Sequence, residues 1–143
     1  MEICIINGPN LNLLGKRETD IYGSESFETY FLKLQSLFSN IQLTHFQSNI
    51  EGEIINEIQR VGFSAAGIVL NPAGYTHTSI AIGDAVAAIK SPTIEVHISN
   101  IYAREHFRQY SFVSAKAIGV ITGFGLDGYR LAIDYLINKI SNQ

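Results

Sequence analysis

Short runs of β-branched and aliphatic residues alternate along this chain with longer stretches of helical period. The runs predict five strands, at Glu2–Asn7, Ile41–Gln47, Ala66–Asn71, Thr93–His97 and Ala117–Thr122. Their nearly continuous Ile, Val and Leu content is typical of parallel strands that helices cover on both faces. The second run is more polar, so we expect it toward an edge of the sheet.

Apolar residues at helical spacing predict four helices between and after these strands. They extend from Phe27 to Phe38, from Ile54 to Val61, from Ile80 to Ile89 and from Tyr129 to Ile140. A capping box is predicted before the second, where the Ser48 hydroxyl and the Glu51 carboxylate can each bind a free backbone N–H; Gly62 fits its end. The alternation predicts one α/β domain over residues 1–143, with a doubly wound, five-stranded parallel sheet in flavodoxin-like order.

Composition is typical of a globular protein and excludes several other classes. At 143 residues, with 46% hydrophobic and 16% charged side chains, the chain has the usual size of one domain and no polar tract that would resist folding. A net charge of -3 offers no field for nucleic acid. Since the chain lacks a cleavable leader pattern and any run of about 18 apolar residues, we expect a soluble, cytoplasmic protein without membrane partners. The single cysteine, Cys4, lies in an apolar run and is expected to be buried and inert.

Polar residues follow four of the five predicted strands. These strand ends are Asn7-Gly8-Pro9-Asn10, Ser48-Asn49, Asn71-Pro72 and His97-Ile98-Ser99-Asn100. Any one of them, taken alone, is better explained as a turn or a helix cap. Because the carboxyl ends of parallel strands meet at one edge of the sheet, their joint placement favours a ligand site there.

The segment Gly8–Gly23 is long for a connection in a compact α/β domain and has no clear periodicity. It carries Lys16, Arg17 and Tyr22 between two glycines. One interpretation is a mobile lid that folds over a ligand. The other is a solvated surface loop in which Tyr22 packs on its neighbours. Loop length alone favours neither.

Two other patterns resemble a dinucleotide site and a metal site, but neither has the spacing that such a site needs. Gly123–Gly128 matches the dinucleotide fingerprint G-x-G-x-x-G, yet only 15 residues follow it, too few for a second strand and a ribose-binding acid. We therefore predict a tight turn from strand to helix. The histidines at 45, 77, 97 and 106 lack the spacing of a metal site, and the lysines lie mostly on polar faces, so neither a metal nor an imine intermediate is expected.

Three ordered blocks of the sequence resemble the type II 3-dehydroquinate dehydratases. The first begins with Asn7-Gly8-Pro9-Asn10-Leu11-Asn12 and continues through Arg17-Glu18 to Tyr22-Gly23. The second contains Asn71-Pro72 and Thr76-His77-Thr78-Ser79, and the third extends from Glu95 to Arg108. With the glycine-rich end and the length, the resemblance covers essentially the whole chain.

The resemblance implies dehydration of 3-dehydroquinate to 3-dehydroshikimate through an enolate, as in the shikimate pathway of aromatic amino acid biosynthesis, with no cofactor and no metal. Such a reaction needs a base, stabilisation of the enolate and an acid. By the match, Tyr22 is the base and Arg17 the cation that lowers its pKa. His97 is the general acid, Glu95 orients it, and Asn10 helps to hold a water at the enolate oxygen.

The match also implies a set of residues that hold the substrate. They are Asn71, His77, Asp84 and Arg108, with the backbone N–H groups of Ile98 and Ser99 facing the carboxylate. Three residues also admit a structural role: His77 could cap the helix that follows Thr78, Glu95 could be a buried partner of an arginine, and Arg108 could lie on a solvated face. Two rival functions stay open too, a flavodoxin-like module that binds a small polyhydroxylated anion without turnover and a dehydratase of another cyclic hydroxy-ketone.

The chain departs from the family pattern at four positions. Thr19 stands where many members carry Pro, Gly83 where many carry Arg, and Ile50 and Tyr102 where His is common. The resemblance further implies a homo-oligomer, a dodecamer built from trimers, in which Asp84 reaches the site of a neighbouring subunit.

Overall fold

A computed structural model describes residues 1–16 and 19–142, with the backbone alone at Thr19 and Tyr22. In this part of the chain the strands are β1 Glu2–Asn7, β2 Gln42–Gln47, β3 Gly67–Asn71, β4 Thr93–His97 and β5 Gly119–Thr122. They form one parallel sheet in the order β2-β1-β3-β4-β5. This confirms the predicted flavodoxin-like sheet, and β2 lies at an edge as expected.

The strand limits differ slightly from the predicted ones. β2 and β3 each begin one residue later, at Gln42 and Gly67, and β5 begins two residues later, at Gly119. At β5 the reason is a turn, because the Ala117 N–H donates to the Val113 carbonyl at 3.1 Å instead of joining the ladder. Pairing with β4 therefore starts only beyond Ala117.

The helices include the four that were predicted, within three residues at each end. The α-helices are α1 Thr19–Tyr22, α2 Phe27–Leu37, α3 Glu51–Val61, α4 Ile80–Ala88 and α5 Asp127–Ser141. Short 3₁₀ helices at Leu11–Leu13, Ala73–His77, Ile101–Ala103 and His106–Gln109 were not predicted, nor was α1. Within residues 1–16 and 19–142, no helix has the length and apolar character needed to cross a membrane.

Helices cover both faces of the sheet, which makes the domain doubly wound. On one face Ile3 and Ile5 of β1 pack with Phe27 of α2 and Ile133 of α5. The intervening residues of β1 point to the opposite face, where they pack with α3 and α4. Cys4 lies on this second face, and burial raises the pKa of its thiol to about 11. It is therefore a buried neutral thiol, as expected.

The predicted capping box before α3 is wrong. The Ser48 hydroxyl accepts a hydrogen bond from the Ile50 N–H at 3.0 Å and donates to the carboxylate of Glu53, not Glu51. Ile50 stands at the N-cap and contributes no side-chain bond there. The helix thus begins two residues later than a capping box on Ser48 would place it. For the same reason the carboxylate that Ser48 contacts belongs to Glu53, two residues after Glu51.

The segment from Gly123 to Gly128 forms the predicted turn between β5 and α5. Gly123 and Gly125 have φ values of 95° and 61°, in the region that favours glycine. Their N–H groups donate to the carbonyls of His97 and Ile98 at 3.2 and 2.9 Å. The turn therefore holds the carboxyl end of β4 in place.

Gly83 in α4 allows the loop that follows the last 3₁₀ helix to approach the helix backbone closely. A β-carbon at this position would lie 2.3 Å from the carbonyl oxygen of Phe112, closer than any real contact. A larger side chain here would therefore require the loop to move.

We expect Gly83→Ala to lower the free energy of unfolding by about 1–3 kcal/mol, because Phe112 must shift to admit the methyl group. The matched control is Gly52→Ala in α3, where the same methyl group meets open space and should be neutral or stabilising. Urea denaturation at one fixed protein concentration compares the two variants. Equal stability of Gly83→Ala and wild type would contradict the close approach.

Candidate active site

The carboxyl ends of the central strands open into a cavity of about 320 Å³. Its wall comes from the segments that follow β1, β3 and β4, and from the 3₁₀ helix that contains Arg108. The lining residues are Pro9, Asn10, Leu11, Leu14, Asn71, Ala73, Gly74, His77, His97, Ile98, Ser99, Ile101, Arg104 and Arg108. This is the edge of the sheet at which the sequence predicted a ligand site.

His97, the last residue of β4, is tied to Glu95 on the same strand. Its Nε2 lies 2.6 Å from Glu95 Oε1, and both side chains are almost completely shielded from solvent. Because residues two apart on a strand point to the same face, this proximity could be predicted from the sequence. An ionised carboxylate only accepts hydrogen bonds, so Nε2 carries a proton and the second ring nitrogen, Nδ1, is the one whose protonation can change.

Glu95 is held as a carboxylate. Burial acts to raise the pKa of this carboxyl, but hydrogen bonds from His97, Ser114 and Thr76 outweigh burial, so its pKa lies below the usual value. The Ser111 hydroxyl adds a further donor, 3.0 Å from Oε1. A negative charge thus lies next to Nε2 of His97 and fixes the direction of that N–H.

A second imidazole, that of His77, stacks near the first, with ring centroids 6.3 Å apart. Its Nδ1 donates to the carbonyl of Tyr110 at 2.7 Å, which leaves Nε2 as the acceptor of the neutral ring. Burial lowers the pKa of His77, and the neighbouring His97 and Arg108 act in the same direction. His77 is therefore a neutral side chain suited to hydrogen bonding with a polar ligand.

Two arginines give the cavity positive charge. Arg108 makes an ion pair with Glu105, Nε to Oε2 at 2.6 Å, and its guanidinium lies 4.9 Å from the centre of the Phe107 ring. Arg104 donates to the hydroxyl of Ser99 at 3.2 Å. Guanidinium groups held in this way are suited to binding a carboxylate.

Asn10 lies at the mouth of the cavity in a left-handed backbone conformation, with φ 69°. Asparagine tolerates this region better than most residues. Its backbone N–H donates to the side chain of Asn49, which follows β2, at 3.0 Å. The end of β1 is thereby joined to the end of β2.

Asn71, at the end of β3, belongs to a buried polar network. Its side chain donates to the Tyr129 hydroxyl at 2.8 Å, and that hydroxyl donates to Asn7 at 2.7 Å. Asn7 in turn lies 3.2 Å from Nε2 of His45, whose pKa burial lowers. Asn71 also accepts from the Ala73 N–H at 3.1 Å, so its orientation is set by α5 and by its own turn.

The structure brings most of the predicted site residues together but not all of them. Asp84 is exposed on α4 and does not line the described cavity, so its action on a neighbouring subunit stays a prediction. Arg17 and the side chain of Tyr22 lie outside the described residues, and their roles also stay predictions.

Three alternatives drawn from the sequence can be compared with the observed contacts. Glu95 is a buried partner of His97, whereas the alternative placed it beside an arginine. His77 bonds to Tyr110, and the cap of α4 is Ser79, which accepts from the Ile82 N–H at 2.9 Å. Arg108 is 24% exposed and lines the cavity, so it does not lie on a fully solvated face.

Sequence reasoning missed Arg104 as a site residue. It lies in the third block of the resemblance and near Arg108 in the charge pattern, and either signal could have selected it. It also missed Leu11 and Leu14, which join the core from within the segment Gly8–Gly23 and line the cavity. At least this part of the segment is anchored, because both side chains are buried.

Fold and site together define a flavodoxin-like α/β domain that presents an imidazole–carboxylate pair and two arginines to a small polar ligand. The family model for class II dehydroquinases matches residues 1–137. A 3-dehydroquinate dehydratase of Campylobacter jejuni is 53% identical over 135 residues, which cover 93% of this chain and 85% of the relative. The chain therefore belongs to the class II dehydroquinase family.

Solved structures agree with this assignment. The type II dehydroquinase of Butyrivibrio crossotus has a TM-score of 0.89 and 48% identity, with 95% of this chain and 97% of that chain covered. That of Propionibacterium acnes has a TM-score of 0.88 and 40% identity, with 94% of each chain covered.

We expect Tyr129→Phe to lower the free energy of unfolding by about 1–3 kcal/mol, because it leaves buried polar atoms of Asn7 and Asn71 without their partner. Tyr135→Phe, which removes a hydroxyl from an exposed position of the same helix, is the control and should change stability by less than about 0.5 kcal/mol. Urea denaturation measures both. A loss no greater in Tyr129→Phe than in the control would mean that the network adds no stability.

Proposed function

We propose that this chain is a hydro-lyase that converts 3-dehydroquinate into 3-dehydroshikimate, the dehydration for which its curated relatives are named. The observation that carries the proposal is the buried His97–Glu95 pair at the wall of a cavity that two arginines also line. An acid beside an anion-binding wall suits a substrate that has a carboxylate and must lose a hydroxyl.

The proposed base is Tyr22. It takes a proton from the carbon next to the ketone and leaves an enolate. A tyrosine of ordinary pKa, near 10, supplies little phenolate at neutral pH, so a cation must lower that pKa. Arg17, five residues earlier on the same segment, is the proposed cation. Closure of the segment over the substrate would then create the base, and Asn10 at the cavity mouth would hold a water against the enolate oxygen.

The proposed acid is His97. As the enolate collapses, the C–O bond to the hydroxyl breaks, the proton from Nδ1 of His97 joins the departing oxygen and water leaves. The double bond forms beside the ketone, which makes the product a conjugated enone. Glu95 stabilises the imidazolium before the transfer and keeps the ring oriented through Nε2.

The remaining polar groups are proposed to hold the substrate. Arg108 and the backbone N–H groups of Ile98 and Ser99 face the carboxylate, and Arg104 adds charge to the same wall. The neutral His77 and the oriented Asn71 bind hydroxyls. Asp84 is proposed to act on the cavity of a neighbouring subunit.

We expect Tyr22→Phe and His97→Asn each to lower kcat by about 10²–10⁴-fold, the usual contribution of a general base or acid. Arg17→Gln should lower kcat as well, because Tyr22 would keep its ordinary pKa. The rise in near-ultraviolet absorbance of the conjugated product measures the rate from 3-dehydroquinate. Tyr135→Phe, exposed on α5, is the control and should keep the wild-type rate.

The same assay separates the rival functions. No absorbance rise with the wild-type chain, together with binding of 3-dehydroquinate, would favour a module that binds the anion without turnover. Unchanged rates in both Tyr22→Phe and His97→Asn would overturn the assignment of base and acid while leaving the reaction itself intact.

Residues 1–143 are proposed to form one catalytic domain that works in the cytoplasm as a dodecamer of four trimers. The support is the family resemblance, together with the edge strand β5, in which Val120 is 42% exposed and before which Ile118 is 46% exposed. Apolar surface at a sheet edge is commonly covered by a partner.

Sedimentation equilibrium should give twelve times the chain mass of 15.8 kDa. A monomer under assay conditions would contradict the assembly and the role of Asp84.

A further inference from the structure

The carboxylate of Glu95 is enclosed by hydroxyl groups as well as by His97. Thr76 Oγ1 donates to Oε1, Ser114 Oγ donates to Oε2 at 2.5 Å, and Ser111 Oγ lies 3.0 and 3.2 Å from the two oxygens. Glu95 and Thr76 have no exposed surface. Three hydroxyls and one imidazole N–H therefore surround a single buried carboxylate.

The Ser111 hydroxyl can act only as a donor to Glu95. Its oxygen accepts the N–H groups of Val113 and Ser114, each at 3.0 Å. Both accepting positions of a hydroxyl are then occupied, so Ser111 acts as a donor. The two carboxylate oxygens, at 3.0 and 3.2 Å, lie closer to it than Thr76 Oγ1, at 3.3 Å. The loop at residues 110–114, which we call the hydroxyl loop, is folded to present this donor.

The surroundings explain why the donors are needed. Leu70 of β3 and Val120 of β5 are the residues paired with Glu95 across the sheet, and neither can stabilise a charge. Among the described residues, His97 acts on Glu95 from its own strand, and His77 interacts with Glu95 from the 3₁₀ helix before α4. Arg108 also acts on His77. A carboxyl in such a place would bind a proton without hydrogen-bond donors.

The hydroxyl loop also holds the second histidine. The Tyr110 carbonyl accepts from Nδ1 of His77 at 2.7 Å, and the Phe112 N–H donates to the Thr76 carbonyl at 2.9 Å. One loop therefore sets the protonation pattern of both imidazoles, that of His77 directly and that of His97 through Glu95.

We propose that Thr76, Ser111 and Ser114 are positioning residues of the dehydration step, whose hydroxyls keep Glu95 negatively charged and thereby keep His97 protonated on both ring nitrogens. The inference rests on the proposed role of His97 as the acid. A proton taken up by Glu95 would leave His97 without its anion, and the departing hydroxyl would receive its proton from a weaker source.

The test is the pH dependence of kcat in Thr76→Val and Ser114→Ala. A carboxyl whose pKa is depressed is charged above that pKa and loses its charge as pH falls through it. Removal of one donor raises the pKa of Glu95. The pH at which kcat falls on the acidic side of the profile should therefore rise by about one unit. Thr76→Ser keeps the hydroxyl and should restore the wild-type limb.

The control is Thr93→Val, because Thr93 is also buried on β4 but its hydroxyl donates to the Ser91 carbonyl. It should leave the limb in place. A loss of rate that is uniform across pH in both Thr76→Val and Ser114→Ala would overturn the proposal, since it would indicate a structural role alone.

A measurement without turnover separates this proposal from the assignment of His97. The ¹³C resonance of the Glu95 carboxyl, identified by its loss in Glu95→Gln, should titrate at higher pH in Ser114→Ala than in wild type. An unchanged titration would overturn the proposal even if His97→Asn is inactive. A shifted titration in a chain whose His97→Asn variant keeps full activity would support the hydroxyl loop and refute His97 as the acid.

Discussion

The burial of a charged carboxylate inside an apolar sheet is the constraint on which the site depends. Glu95 lies on a fully buried strand between β3 and β5, where an unpaired charge would be strongly destabilising. His97 donates to it from the same strand, and further donors reach it from outside the strand. The 3₁₀ helix with Thr76 and the loop with Ser111 and Ser114 supply them. The need to satisfy one group thus brings three separate segments together.

The same arrangement prepares the chemistry. His97 donates to Glu95 through Nε2, so only its other nitrogen is left to exchange a proton with a ligand. Burial lowers the pKa of the neighbouring His77, whose Nδ1 donates to the Tyr110 carbonyl. Two imidazoles with centroids 6.3 Å apart therefore have different hydrogen-bond partners, a carboxylate for His97 and a backbone carbonyl for His77. In the proposed mechanism, His97 acts as the acid while His77 binds the substrate.

The floor of the site is continuous with the hydrophobic core. Tyr129 of α5 is fully buried, yet its hydroxyl joins Asn7 and Asn71 at the ends of two neighbouring strands. Both amides are thereby fixed by a helix on one face of the sheet. A ligand that contacts Asn71 meets a side chain that the packing of α5 has already oriented, which lowers the entropic cost of binding.

Periodicity was enough to predict the five strands, the four long helices and the edge of the sheet at which the site lies, because these follow from which residues can be buried. His97 and Glu95 could be paired from their spacing on one strand. The predicted capping box of α3 was wrong. Ser48 has two acidic residues within reach, and local spacing could not choose between Glu51 and Glu53. The short 3₁₀ helices have too few residues to leave a periodic signal.

The architecture, the family resemblance and the polar strand ends could thus be inferred from the sequence alone, since all of them depend on residue type and short spacing. What surrounds Glu95 became visible only in the folded chain, because Thr76, Ser111 and Ser114 are separated from it by 16 to 19 positions along the sequence. Asp84, which lies on α4 and does not line the described cavity, could likewise be placed only in the folded chain, whereas the charge pattern could have selected Arg104. Such contacts form only when folding of the sheet brings together residues that are far apart in the sequence, so no local sequence pattern can predict them.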